Sequence, residues 1–251
     1  MLAEQFFEKV NTLAVTIRDT QLETIEKAAA AIAGRLEKGG LLYVFGSGHS
    51  HVIAEELYVR AGGLIQARTI MPHELTIDLD MDKSTLMERT DGLAEIVFAT
   101  TKIRTDDVLL IVSNSGRNAV PVQMALGAKQ RGIFTIALTN LAHSRSVESR
   151  DKSGKKLYEC CDLVLDSCGP RGDALITPPG KNYAVAPVST IAGALVMEAM
   201  VCAIVEKMLA DGYEPPVYQS ANLDGNDDAN RLKRERLKEQ FPELREVFST
   251  F

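Results

Sequence analysis

Four cysteines are spread over the 251 residues, at Cys160, Cys161, Cys168 and Cys202, and none forms a Cys-x-x-Cys pair. Zinc-ribbon and thioredoxin-type sites are excluded on that spacing. The four histidines (His49, His51, His73 and His143) include no His-x-x-x-His pair on a helical stretch, so no metal is expected. Basic charge is also scarce. The chain carries 28 Lys and Arg against 34 Asp and Glu, a formal net charge of −6 that repels polyphosphates at long range. Only "RLKRERLK" (231–238) is strongly basic, and its leucines at helical spacing mark a solvated helix face, so no nucleic-acid partner is expected. Long apolar runs are missing as well. The longest, "IAGALVMEAMVCAIV" (191–205), is interrupted by Glu198 and closed by Glu206 and Lys207. It reads as too short and too broken for a bilayer, hence as a buried core helix and not a membrane segment. The start, "MLAEQFFEKV", has acids where a signal peptide needs a basic stretch before an apolar one. The expectation is a cytoplasmic protein with reduced thiols.

What is present is an ordinary globular composition, 45% hydrophobic and 25% charged. The length suits one large domain or two small ones. With no internal repeat and no low-complexity linker, a single domain over 1–251 is expected. It divides into N-terminal helices (1–38), a core (41–212) and a C-terminal tail with a helix (213–251). Phe6, Val10, Leu13 and Ile17, then Leu22, Ile25, Ala29, Ile32 and Leu36, recur at steps of three and four. They predict one long helix, or two in series, stopped by "KGG" (38–40). Strand-like runs follow at 41–46, 64–70, 108–114, 133–140 and 161–166, with helical patterns clearest at 49–61, 86–103 and 118–130. Short continuous apolar strands alternating with helices predict an α/β fold, a doubly wound parallel sheet covered on both faces.

Such sheets bind ligands at the carboxyl ends of their strands. Three polar loops fall there: "GSGHSH" (46–51), "SNSGRN" (113–118) and "TNLAHSRS" (139–146). If the first and third strands are neighbours at the switch point, their loops face one pocket. In the first loop Gly46 and Gly48 let a ligand approach the backbone. The third Gly of a dinucleotide fingerprint is replaced by His51, and no Gly-Lys-Ser/Thr follows for a P-loop, so neither cofactor is expected. Read alone, this loop is a tight turn with Ser50 as helix N-cap. The second loop adds Ser113, Asn114, Ser115, Gly116 and Asn118 at a helix start. Free N–H groups and the helix dipole make an anion site there without a lysine. Two such loops on one sheet edge are poorly explained as turns alone.

"GSGHS" (46–50), "SNSGRN" (113–118) and "PVSTIAGALVMEAM" (187–200) together resemble the sugar-isomerase (SIS) phosphosugar-binding domain. That domain occurs in phosphoheptose isomerase, the isomerase half of glucosamine-6-phosphate synthase and N-acetylmuramic acid 6-phosphate etherase. "LAHSRSVESRDKSGKKLYECCDLVLDSCGPRGDA" and "SANLDGNDDAN" resemble a group of small stand-alone phosphosugar-binding members. The resemblance implies a flavodoxin-like sheet and phosphate held by Ser113, Asn114, Ser115, Gly116 and Asn118. It also implies sugar near Gly46, Ser47, Gly48, His49, Ser50 and Ser189, no cofactor, and a homodimer or homotetramer. Synthase members carry a lysine after the Ser-Thr of the long helix; Ile191 stands there, so that lysine's role does not transfer.

Isomerisation through an enediol(ate), or an elimination, needs a carboxylate or histidine to move a proton. Glu88, Glu55, His49 and His143 are the candidates taken forward. Glu88 lies where etherase relatives carry an acid, His49 sits in the glycine loop, and His143 follows the fourth strand. Glu55 and Glu56 can equally be solvated helix residues, His51 reads as a capping residue, Glu74 is a further candidate, and His73, just past the second strand, leans to the site over an ordinary loop position. "DGNDDANRLKRE" (224–235) begins like a calcium loop, but Ala229 replaces its sixth-position Gly and basic residues fill its second half. The tail after Pro215 and Pro216 must run extended. Its loop reads either as a connection to a helix packing Leu232, Leu237, Phe241 and Leu244, or as bringing Asn222, Asp224 and Asn226 to a sugar pocket. The expected function is a sugar-phosphate isomerase or lyase, with a non-catalytic phosphosugar sensor as the alternative.

Overall fold

Five parallel strands in the order β2-β1-β3-β4-β5 form the centre of the computed structural model, which describes residues 1–77 and 80–248. They are β1 (Leu42–Gly46), β2 (Ala67–Ile70), β3 (Val108–Val112), β4 (Phe134–Thr139) and β5 (Leu163–Asp166). This is the flavodoxin-like order, and β1 and β3 are neighbours, as the switch-point reading requires. Every residue of β1 and β3 is buried, which is why both read as unbroken apolar runs. Alternation then sorts side chains between two cores. Leu42, Val44, Leu110 and Val112 face one side, and Tyr43, Phe45, Leu109 and Ile111 the other.

The first side is covered by α1 (Leu2–Leu36), α2 (His51–Glu56) and α7 (Ser189–Ala210). One helix, not two in series, spans the N-terminal segment. It stops where Gly40 N–H bonds Arg35 O at 2.9 Å, as the paired glycines predict. Leu13, Ile17, Ile25, Ala29, Ile32 and Leu36 of the predicted stripe are buried, whereas Leu22 is 48% exposed. The long apolar stretch is α7. Its 22 residues are enough in length to cross a bilayer, so the reading of it as too short fails. Its stripe from Ala192 to Met208 nevertheless packs into this core, as a core helix should.

The second side carries α4 (Leu93–Thr100), α5 (Ala119–Gln130) and α8 (Asn226–Gln240). The single helical pattern expected over 86–103 is two helices, α3 (Met81–Glu88) and α4, separated by the turn at 89–92. That break places Glu88 on the last turn of a helix. The tail runs extended after Tyr213 and pairs antiparallel with the chain ahead of β2, through Ile65 N to Pro216 O (2.8 Å) and Tyr218 N to Gly63 O (2.9 Å). The tail thus takes Leu64 and Ile65, which the sequence assigned to β2. Leu237 and Leu244 are buried as expected and Phe241 is partly so, but Leu232 is 50% exposed. Phe248 is fully buried, and the last three residues of segment 213–251 lie outside the described residues.

Short α6 (Leu141–Arg145) follows β4. A hairpin of β6 (Ala174–Ile176) and β7 (Val185–Pro187) precedes α7. The sequence did not announce the hairpin. Its strands have three residues each, and Val185 and Pro187 are exposed, so neither leaves a periodic apolar signature.

Candidate functional site

The strand register sets the site. Gly46 pairs with Val112 and Val112 with Leu138, so β1, β3 and β4 end at one level and their loops share an edge. After β1 the chain makes a 3-10 turn at Gly48–Ser50 before α2. A Cβ on Gly46 would collide with the Ser50 carbonyl, so only glycine lets the turn fold back so tightly. Ser50 stands at the N-cap of α2 but makes no side-chain capping bond. Its hydroxyl is left to the cleft. His51 Nδ1 bonds Gly48 O and holds the turn, a structural role. His49 is exposed and lines the cleft.

The second loop is anchored at three of its carbonyls. Leu157 N–H donates to Gly116 O at 2.9 Å, Arg150 N–H to Arg117 O at 2.7 Å, and Asn140 N–H to Asn114 O at 3.1 Å. Gly116 has φ +55 and packs against Leu157, Thr139 and Ser144, a left-handed position with no spare room. Ser113 is buried and accepts from Gly116 N–H at 3.2 Å, which stiffens the loop while its own O–H proton remains to be donated. The Ser115 hydroxyl has no hydrogen-bond partner among the described residues. At the start of α5 the Ala119 and Val120 N–H groups lack intrahelical partners, and Pro121 has none to offer.

Glu88 joins the two loops. Its Oε1 accepts from Ser47 Oγ at 2.9 Å and its Oε2 from Asn118 Nδ2 at 2.7 Å. Asn118 Oδ1 in turn accepts from Arg150 Nη1 at 3.1 Å. Burial, then the neighbouring Arg117 and Arg89, lower the Arg150 pKa from its usual value. A guanidinium remains charged despite this, so a cation stands at the end of the Ser113–Asn118 loop of an acidic chain. Lys156 adds another beneath the loop, buried and donating to Ser144 O at 2.5 Å and to Val147 O. An anion here therefore meets local donors despite the net charge.

A narrow cleft, with an accessible volume of about 20 Å³, opens beside these loops, between the strand ends and helices α2 and α7. His49, Ser50, Asn114 and Ser189, all named from the sequence, line it. So do Thr139, which opens the polar loop named after the fourth strand, and Ser167, which the sequence reading missed. Ser167 follows the carboxyl end of β5, so extending the strand-end rule to that strand would have found it. Arg150, in a loop far along the chain, left no such signal.

Other candidates sit differently. The Ser189 hydroxyl lines the cleft but donates to Asp173 Oδ2 at 2.8 Å, while Asp173 Oδ1 accepts from Ser189 N–H at 2.7 Å. Asp173 reaches this position from the hairpin with φ +72, capping α7 in place of a ligand. His143 Nδ1 accepts weakly from Gly172 N–H at 3.4 Å; burial first, then Arg171 and Arg117, lower its pKa and favour the neutral ring. It does not line the cleft. Glu55 is exposed and points toward His51 Nε2, 4.0 Å away, and does not line the cleft. Asn222 is exposed in the tail loop beyond Tyr218, likewise outside the cleft lining of this chain.

A family model described as SIS domain matches residues 5–140. The UPF0309 protein of Geobacillus thermodenitrificans is 38% identical to this chain, covering 97% of it and 98% of the relative. A UPF0309 protein of Streptomyces griseus is 40% identical over 91% of this chain and 92% of its own. Two solved structures share the fold. A phosphoheptose isomerase from Francisella tularensis has TM-score 0.52 at 21% identity, over 81% of this chain and 96% of that one. A phosphoheptose isomerase from Neisseria gonorrhoeae has TM-score 0.53 at 18% identity, over 81% and 97%.

Proposed function

Because this chain belongs to the SIS domain family, we propose that it binds a phosphorylated sugar and moves a proton on it, as an isomerase or a lyase. The observation that carries the reading is Glu88, a carboxylate held between the two ligand-edge loops by Ser47 and Asn118. Phosphate sits against Ser113, Ser115 and the first turn of α5, where N–H and O–H donors need no lysine. The sugar then extends past Ser47 and His49. In that pose Glu88 takes the proton from the carbon beside the carbonyl or leaving group, and His49 serves the neighbouring oxygen. The phosphoheptose isomerases that share the fold perform chemistry of this class, by their names.

A sensor that binds without converting is the second reading. It is favoured by one fact: among the described residues no histidine or second carboxylate hydrogen-bonds Glu88. Turnover separates the two, since a sensor binds a sugar phosphate and returns it unchanged.

Replacing Ser113 and Ser115 together by Ala tests the phosphate assignment. At a hundred times Kd a sugar phosphate stabilises the native state by about 2.7 kcal/mol, a melting shift of roughly 5–10 °C at this size. The double variant is expected to lose that shift. Its unliganded Tm falls slightly, since Gly116 N–H loses its acceptor, at about 1 kcal/mol. An undiminished ligand shift would overturn the assignment.

The same reading includes a homodimer or homotetramer in the cytoplasm. Phe7 (67%), Val15 (46%) and Leu2 (41%) on α1, with Leu209 (54%) on α7, are apolar and exposed in the single chain. Sedimentation at micromolar concentration is expected to give a dimer or larger. A compact monomer would sink this expectation.

A further inference from the structure

Two buried polar atoms of the residues lining the cleft have no hydrogen-bond partner among the described residues. Ser167 is 4% exposed, and its hydroxyl is buried without a hydrogen bond; Asn114 Oδ1 is buried and equally unpartnered. Both residues line the cleft beside Thr139 and Ser189. Buried polar groups are almost always paired, because an orphan forfeits its hydration without return, so two orphans lining one cleft call for an explanation.

The backbone holds Ser167 firmly where it is. Its N–H donates to Thr139 O at 2.9 Å, which continues the pairing of β4 with β5. Asp166 Oδ1 then accepts from Cys168 N–H at 2.9 Å and from Leu141 N–H at 3.0 Å. Cys168 is bent to φ +56 by this turn. The orphan hydroxyl is therefore a fixed feature of the strand end and not a loose surface group.

The chemistry of the two atoms selects the occupant. An acceptor such as Asn114 Oδ1 needs a donor, which a phosphate dianion cannot supply. A sugar hydroxyl supplies one proton and two lone pairs, the chemistry that an acceptor such as Asn114 Oδ1 and a donor such as the Ser167 O–H both require. The walls agree. Ile53, Val112, Leu138 and Gly193 bring no charge to this part of the cleft, whereas Arg150 stands on the Glu88 side. An anion here would be buried uncompensated.

We propose that Ser167 and Asn114 form a hydroxyl-reading pair, a specificity-determining subsite for one neutral hydroxyl of the sugar. This rests on the phosphosugar reading and deepens it. It moves Asn114 from the phosphate cradle to the sugar, and it makes a polyhydroxylated chain or ring, not the phosphate alone, the group that this part of the cleft recognises.

The test is Ser167→Ala, followed by thermal shift and calorimetric titration of the full chain. Probes are inorganic phosphate, a panel of pentose, hexose and heptose phosphates, and monodeoxy derivatives of the sugar phosphate with the largest effect. The unliganded Tm is expected to hold or rise slightly, because no protein hydrogen bond is lost. Affinity for the sugar phosphate is expected to fall roughly three- to tenfold, the worth of one hydrogen bond, with the phosphate response unchanged. One deoxy derivative is expected to bind wild type and variant alike, since its missing hydroxyl is the one Ser167 reads. Equal sugar-phosphate affinity in the two proteins overturns the pair, as does an equal loss for inorganic phosphate. A drop of several degrees in unliganded Tm also overturns it, by making Ser167 a structural residue. A wild-type protein that answers to no sugar phosphate sinks the phosphosugar reading itself, a result distinct from the others.

Discussion

Glu88→Gln is expected to lower turnover of the cognate sugar phosphate by about 10²–10⁴-fold, the usual range for removing a positioned acid or base. The substitution keeps the shape of the side chain and one oxygen that can accept from Ser47. Its amide cannot accept from Asn118 Nδ2, and Asn118 cannot simply turn round, because its Oδ1 is taken by Arg150. Some loosening of the loop at Asn118 is therefore expected, with KM changed only a few-fold. Steady-state kinetics on the sugar phosphate that gives the largest thermal shift will separate the effects. A fall in kcat with little change in KM identifies a group acting in the transition state. Turnover retained within about threefold would remove Glu88 from the chemistry. A wild-type protein that binds but never converts would favour the sensor.

Asp107→Ala is expected to cost about 3–5 kcal/mol of stability, chiefly by stranding two backbone N–H groups at about 1–3 kcal/mol each. The Asp107 side chain is fully buried just before β3. Its carboxylate accepts from Leu41 N–H at 2.9 Å, from Arg104 N–H at 2.7 Å and from the Arg104 guanidinium at 2.8 Å. Arg104 also donates to Gly39 O at 2.7 Å, so one carboxylate ties the end of α1 and the starts of β1 and β3 together. Truncation leaves buried N–H groups and a half-exposed guanidinium without their acceptor. For a chain of this size the melting temperature should drop by roughly 6–20 °C. Asp107→Asn, which keeps one oxygen, should lie between the two. A loss under about 1 kcal/mol in urea unfolding would show that the backbone pairing of β1 with β3 carries the junction without it. The consequence reaches the site, because that pairing sets Gly46 and Val112 level at the ligand edge.

The sequence alone determined those parts of the molecule whose physics is local. β1, β3 and β4 are legible because a strand buried on both faces is a continuous apolar run. The end of α1 is legible because its paired glycines stop it. The loops after β1 and β3 stand out because small hydroxyl and amide residues crowd a strand-to-helix junction. Once the strands were placed in sequence order, ligand-edge loops followed from the rule for parallel sheets.

The tertiary structure decided everything that depends on partners distant in the chain. Glu88 meets Ser47 across 41 residues and Asn118 across 30, a meeting that no spacing encodes. Helix α3 had to end at Glu88 and lie over the β1–β3 crevice for it to happen. Ser189 looked free in the sequence, but Asp173 sixteen residues earlier claims its hydroxyl through a hairpin too short for any periodic signal. Leu64 and Ile65 were apolar enough for β2, yet the tail reaches them first as an antiparallel partner. Periodicity reports which face of an element is buried, and therefore where a core must be. Which side chains then converge depends on register and crossover geometry, and these exist only once the sheet has closed around its helices.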